Sequence, residues 1–255
     1  MSHRATAKGD DIFHHRLFEL SSAGVSRPRF TRLLNEHEQM FAAEFIQRSR
    51  VDNVMFYGGF ASAQRRMLGF FPERTAPEQG VFPLRHIAFP YILSSTGRML
   101  SHRDVLGALM NLGLTRDSVG DILVQPDICH FVVLESVAQT VMDDLTRIGR
   151  TGVRCRYASP ADFVFEQSFL QGRGTVSSLR LDCVVALFCA VSREKSTALI
   201  QSGMVQCNAR EQSSISKTIA PGEILSIRGY GKFCMDTVGS VTRKNRFPVE
   251  YRKYK

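Results

Sequence analysis

Through the first eighty residues the apolar positions recur mostly at helical spacing. Ile12, Leu17, Phe18 and Leu20 mark a first amphipathic helix. Pro28 opens a second unit, in which Phe30, Leu33, Leu34, Met40, Phe41, Phe45 and Ile46 are the apolar positions. Asn53 to Tyr57 reads as a short strand that ends at Gly58-Gly59. From Ala61 to Phe70 the pattern predicts a return to helix, with Arg65 and Arg66 exposed. Pro72 to Pro83, with three prolines and two glutamates, reads as a linker.

The next stretch alternates between the two periods. Leu84 to Leu93 predicts a strand and Ser101 to Leu112 a helix. Two strands follow, Asp121 to Val124 and Ile128 to Leu134, joined by a turn at Gln125-Pro126-Asp127. Val137, Val141, Leu145 and Ile148 lie at helical spacing, which predicts a helix over Glu135 to Ile148. Val153 to Tyr157 closes the segment as a strand. That succession is β-α-β-β-α-β, the ferredoxin-like split arrangement that RNA-binding RRMs also use. The RRM aromatic consensus is missing, since His130-Phe131 is the only aromatic candidate pair on the third strand. Pro160 to Gly174 reads as a connector. Its loosely alternating Phe163, Phe165 and Phe169 allow part of it to add an edge strand to either neighbour.

Beyond it, Leu181, Val184, Val185 and Phe188 form one apolar helical face. Ser192 is placed to cap a second helix, with Arg193 and Lys195 in its first turn and Gly203 as its stop. Met204 to Asn208 and Ile224 to Ile227 read as strands, with Pro221-Gly222 supplying a tight turn between them. The tail from Thr242 carries six basic residues and one acid, with Tyr251 and Tyr254 interleaved. It suits backbone contacts with stacking, or simply a solvated tail.

Charge sharpens this picture. The chain of 255 residues carries a formal net charge of +9 and suits two or three domains, with a polyanion as the favoured partner. From Leu179 to Lys255 there are 13 Lys/Arg against 6 Asp/Glu, a net of +7, whereas the first 178 residues carry only +2. The basic footprint therefore belongs to the C-terminal segment. Six cysteines (129, 155, 183, 189, 207 and 234) form no C-x-x-C pair, so zinc spacing is absent and no cofactor or metal is implied. Cys183 and Cys189 read as small buried hydrophobes of a reducing compartment. With no apolar leader and no apolar run long enough to span a bilayer, the expectation is a soluble cytoplasmic protein without a membrane partner.

Three constellations invite chemistry. Gly58-Gly59 between a strand and a helix could bring a phosphate to a helix start, or could merely turn the chain. His102-Arg103-Asp104 imitates a kinase catalytic loop, but the rest of that signature is absent; Ser101 as a cap with Asp104 at N3 is the better account. Arg103 is then open either to RNA or to holding a loop. The triplet Arg180-Leu181-Asp182 resembles that of pseudouridine synthases, which often carry the same kind of C-terminal segment, and it raises an RNA-modifying enzyme or its remnant as the alternative function. Too little chain follows it for that catalytic domain. Asp182 is expected to pair with a local basic group instead.

The order Arg-Leu-Asp, Ser-Arg, Leu-Ile-x-x-Gly-x-Val-x-x-Asn and Pro-Gly-Glu-Ile resembles an S4-type RNA-binding domain. The candidate RNA-binding residues there are Arg180, Ser192, Arg193, Lys195, Asn208, Arg228, Lys232, Arg243 and Lys244, with Ser192 and Asn208 also suited to structural work as cap and turn. The chain as a whole resembles the YlmH-type S4 proteins, the RqcP-like factors of bacterial ribosome-associated quality control. The resemblance rests on the block SHRDVLGALMNLGLTRDSVGDILV, on YGGFASAQRRM, and on SIRGYGKF followed by Gly239, Thr242, Arg243 and Lys244. It spans about Arg27 to Tyr251, and departs where Asn35-Glu36-His37-Glu38 replaces the usual Asp-Pro-Arg-Glu and where Gln64 replaces an acid.

The resemblance implies an α+β protein with four segments. These are a mainly helical domain over 1–82, a ferredoxin-like domain over 83–158, a connector over 159–178, and an S4 domain with basic tail over 179–255. It implies a non-enzymatic factor that binds the large ribosomal subunit through ribosomal RNA and stalled peptidyl-tRNA, beside a partner that extends the nascent chain. It also adds Arg65, Arg66, His102, Arg103 and Arg116 as further RNA contacts.

Overall fold

The computed structural model describes residues 2–23, 26–92, 99–163 and 169–254, with side chains from Asp11 onward. Two compact units emerge, Met1–Phe165 and Glu166–Lys255, and the chain is a mixture of helix and strand.

The first unit opens with helix α1 (Ser2–Ala23), which buries Leu17 and leaves Ile12 and Phe18 exposed. Strand β1 (Arg29–Phe30) leads to helix α2 (Glu36–Ser49). The residues that depart from the family pattern start this helix with a full capping box: Asn35 Oδ1 accepts the Glu38 N–H at 3.0 Å, and Glu38 Oε2 accepts the Asn35 N–H at 2.7 Å. Strands β2 (Val54–Tyr57) and β3 (Met67–Phe70) join β1 in an antiparallel sheet of order β1-β3-β2. The helix expected over Ala61 to Phe70 is therefore absent. β3 is the central strand, buried at all four positions. A short apolar run without alternation has no period by which to tell strand from helix.

The expected linker over 72–83 is also partly core. It contains a short turn at Gln79–Val81, and Phe82 packs with Phe30, Tyr57 and Phe71.

The unit continues with β4 (Leu84–Pro90), α3 (His102–Asn111), β5 (Val119–Val124), β6 (Ile128–Leu134), α4 (Glu135–Asp144), β7 (Arg147–Ile148), β8 (Thr151–Gly152) and β9 (Arg156–Tyr157). Strand, helix, two strands and helix thus follow in the expected order, although Leu93 lies outside the described residues; the β7–β8 hairpin then intervenes, and the strand expected over Val153 to Tyr157 is confined to Arg156–Tyr157. β5, β6, β4 and β9 form one antiparallel sheet in that order. The helix expected to run to Ile148 stops at Asp144. Leu145 and Ile148 still reach the core, but Ile148 does so from a hairpin in which it pairs with Thr151. Gly149 (φ 59°) takes the first central position of the two-residue loop, the place a type II′ turn reserves for glycine.

The sheet is covered on both faces. Ile87, Phe89, Phe131 and Val133 pack under Val105 and Leu109 of α3 and Ala138 and Val141 of α4. Leu84, Val132 and Leu134 on the other face meet Leu33, Phe60, Ala63 and Phe163.

In the second unit, β10 (Phe169–Val176) precedes helices α5 (Leu181–Cys189) and α6 (Arg193–Gln201). Then come β11 (Val205–Cys207), β12 (Arg210–Glu211), β13 (Ile224–Ile227), β14 (Gly231–Val238) and β15 (Phe247–Tyr254). All six strands make one antiparallel sheet of order β10-β15-β14-β13-β11-β12. The connector thus supplies an edge strand, β10, paired over eight residues with β15. Phe165 lies outside the described residues.

The tail is not merely solvated chain: most of it is the second strand of this sheet, with Val249 buried. Tyr251 packs over Phe188 at 4.4 Å between ring centroids, in the core between sheet and helices, so it offers no stacking surface.

Candidate nucleic-acid interface

In the second unit the two helices are bolted together at their N-termini. Ser192 Oγ accepts the Lys195 N–H at 3.2 Å and so caps α6. The fully buried Ser196 donates to the carbonyl of Asp182 at 2.8 Å. Asp182 itself is buried at the start of α5, its side chain 4% exposed. Its carboxylate accepts from Arg193 Nε at 3.0 Å and Nη2 at 2.8 Å, and from Arg180 Nε at 3.2 Å. Burial alone would push this carboxyl up, but the hydrogen bonds from Arg193 and Arg180 outweigh it and hold it below the usual carboxylate range. The same contact raises the Arg193 guanidinium.

Two cations are thereby fixed around one buried anion while both remain partly exposed, at 39% for Arg180 and 58% for Arg193. This is an anion-facing geometry beside a capped helix start. The aspartate of the Arg-Leu-Asp triplet thus pairs with local basic groups, as expected.

The other C-terminal candidates are dispersed. Asn208 adopts a left-handed conformation (φ 49°); its Oδ1 accepts the Ile224 N–H at 2.9 Å and its amide donates to Glu223 at 3.3 Å. It is a strand-to-strand clamp. Lys232 lies on the sheet face away from the helices, its ammonium 5.3 Å from the Tyr254 ring centroid. Arg228 is exposed and lines a shallow groove with Gln206 and Ser226. Arg243 and Lys244 are exposed in a turn closed by a 2.8 Å bond from the Thr242 N–H to the Arg246 carbonyl.

In the first unit, the glycine pair does not precede a helix. A Cβ on Gly58 would lie 2.2 Å from the Arg65 carbonyl oxygen. One on Gly59 (φ 102°) would lie 2.8 Å from His86 Nε2 and 3.1 Å from Val132. The glycines allow this loop to lie directly on the sheet, and no phosphate can share that space.

Arg66 donates to Gln39 Oε1 at 2.7 Å, and Arg65 to the Leu33 carbonyl at 2.7 Å. Asp121 accepts the Gln64 and Arg65 N–H groups at 2.5 and 3.1 Å. The electrostatic neighbours of this carboxylate are Arg65, Arg116 and His102. Burial pushes the Arg116 guanidinium down to about 10, with Arg65 adding to the effect and Asp121 opposing it. The sequence block therefore converges on a cationic cluster around one acid. Arg103 is exposed on α3, which begins at a capping box formed by Ser101 and Asp104.

The His130-Phe131 pair has no nucleic-acid-facing role. Phe131 is fully buried under the helices, and His130 is buried on the opposite face against the Phe163 ring at 5.3 Å. Among the described residues, no group of three or more His, Cys, Asp or Glu could hold a metal ion, and no helix is long and apolar enough to cross a membrane.

A family model described as "Putative RNA-binding domain in YlmH" matches residues 84–162. The chain is 32% identical over 230 residues to "Ribosome-associated protein quality control protein P2" of Bacillus subtilis, an alignment covering 90% of this chain and 88% of that protein. Its fold is similar to that of "Cell division protein ylmH from Streptococcus pneumoniae", with a TM-score of 0.51 and 21% identity, over 62% of this chain and 95% of the other. The match of residues 84–162 to that domain and the similarity over 90% of the chain agree: the chain belongs to the YlmH family of ribosome-associated quality control proteins.

Proposed function

We propose that this protein is a non-enzymatic RNA-binding factor of ribosome-associated quality control. It docks on the large ribosomal subunit through ribosomal RNA and steadies a stalled peptidyl-tRNA while a partner extends the nascent chain. In this reading residues 83–158 are a ferredoxin-like domain, the C-terminal unit is an S4-type domain, and the protein works in the cytoplasm.

The observation that carries it is the Asp182 arrangement, in which a buried carboxylate orients Arg180 and Arg193 beside the capped start of α6. Positioning a large RNA needs cations on a rigid platform rather than a catalytic set. An aspartate enclosed in this way is poorly suited to attack a base, which argues against the RNA-modifying alternative.

The test is co-sedimentation with purified large subunits across a salt series. The variant R193E/K195E should lose most binding, and wild-type binding should fall as salt rises, because releasing counterions into a more concentrated solution gains less. Co-sedimentation of the variant at wild-type level would overturn the proposal.

A further inference from the structure

The first unit has a nearly balanced overall charge, which conceals a local excess. Between Thr146 and Arg156 there are four arginines and no acid. The β7–β8 hairpin projects Arg147 and Arg150 into solvent, and both are exposed. Arg147 shares a polar groove of about 420 Å³ with Arg103, Gly107 and Asn111 of α3 and with Gly149 of the hairpin. None of Arg103, Arg147 and Arg150 has a carboxylate within ion-pair distance among the described residues. Two acids line the groove: Asp104 is engaged by the Ser101 cap, and Asp144 lies at the end of α4. A Cβ added at Gly107 or Gly149 would meet nothing within 4 Å, so the backbone there is open to close approach.

The sheet face that an RRM presents to RNA is closed here by Phe60, Ala63 and Phe163. RNA bound by residues 84–162 must therefore meet another surface, and this groove has the unpaired cations for it. None of the residues lining the groove carries a ring, and no Phe, Tyr or Trp occurs in 101–118 or 135–156. A surface of arginines without rings suits phosphates held on a regular backbone rather than unpaired bases, which need stacking partners.

We infer that the groove between α3 and the β7–β8 hairpin binds the phosphate backbone of a base-paired RNA segment, with Arg103, Arg147 and Arg150 as its contacts. This rests on the RNA-binding reading above and assigns that function a second surface, independent of the C-terminal unit.

The test uses the full chain with three probes: a labelled RNA hairpin, the same strand made unable to pair, and vesicles of anionic phospholipid. Wild type should prefer the hairpin. R147Q/R150Q should weaken hairpin binding at least tenfold and lower the slope of log affinity against log salt by about 2. R147K/R150K, which keeps the charge, should retain most of the affinity, separating charge loss from misfolding. R193E/K195E measured alongside separates the two ideas. If that variant loses RNA while R147Q/R150Q binds as wild type, the groove is wrong and the general reading survives. If both bind as wild type, both fail. Equal affinity for the unpaired strand would overturn the duplex assignment. So would a loss on vesicles with RNA binding intact.

Discussion

Arg193 Nη2 lies 2.8 Å from Asp182 Oδ2, linking the first turn of α6 to the buried start of α5. One carboxylate thus aligns two helices and aims two cations. Because its folded pKa is depressed, its stabilising contribution is present at neutral pH, above the unfolded value. It is lost as pH falls through the usual carboxylate range, near about 4, to the lower folded value.

Replacing Asp182 by Asn should therefore destabilise the C-terminal unit at neutral pH and flatten the acid limb of its stability profile. Thermal melts of wild type and D182N from neutral pH downward check this. Parallel profiles would mean that the ion pair is not responsible. RNA affinity should also fall, since the arginines lose their shared anchor.

Gly59 should not tolerate a side chain. Its φ of 102° is strained for any L residue, and a Cβ would press on His86 Nε2. Gly59→Ala should cost the first unit at least about 1–3 kcal/mol, measurable by chemical denaturation. The exposed Gly107, inside a helix and in open space, should become slightly more stable as Ala, by up to about 1 kcal/mol.

His86 and His130 predict a second pH response. Burial lowers both: for His86 a hydrogen bond to the Gly59 carbonyl opposes it, and for His130 Asp162 opposes it while Arg156 assists. The unfolded chain therefore binds more protons than the folded one once pH drops to about 6.5. Stability of the first unit should be full above that value and decline as pH falls toward the lower folded pKa values. H86Q and H130Q should each reduce this slope, read from melting temperature against pH.

Tyr251 and Tyr254 occupy the same strand but opposite faces, and should behave differently. Tyr251→Ala removes a ring packed against Phe188 and should cost about 2–4 kcal/mol, whereas Tyr254→Ala should cost about 1 kcal/mol or less. Denaturant midpoints of the two variants distinguish them. Equal losses would contradict the opposite facing of the two rings.

Much was legible in the residues alone: the strand–helix succession from Leu84 onward, the capped helices at Ser101 and Ser192, the pairing of Asp182 with a nearby cation, and the family itself. Caps, turns and helical faces are set by neighbours within a few positions, so they are readable locally. The block around Ser101 to Val124 carried the family resemblance, but not the reason its members meet. That reason is spatial, because Arg65, His102 and Arg116 gather at Asp121 from separate segments. The strand at Met67–Phe70 escaped because burial on both faces erases alternation. Gly58-Gly59 imitated a phosphate loop because close packing and ligand approach make the same demand for a missing Cβ. Net charge pointed to the C-terminal segment and passed over Arg147 and Arg150, whose charges are cancelled on average by acids elsewhere in the first unit. Local order was thus determined by sequence. Which face is covered, which tyrosine packs against the core and which arginines stand away from carboxylates among the described residues were decided only when distant segments packed.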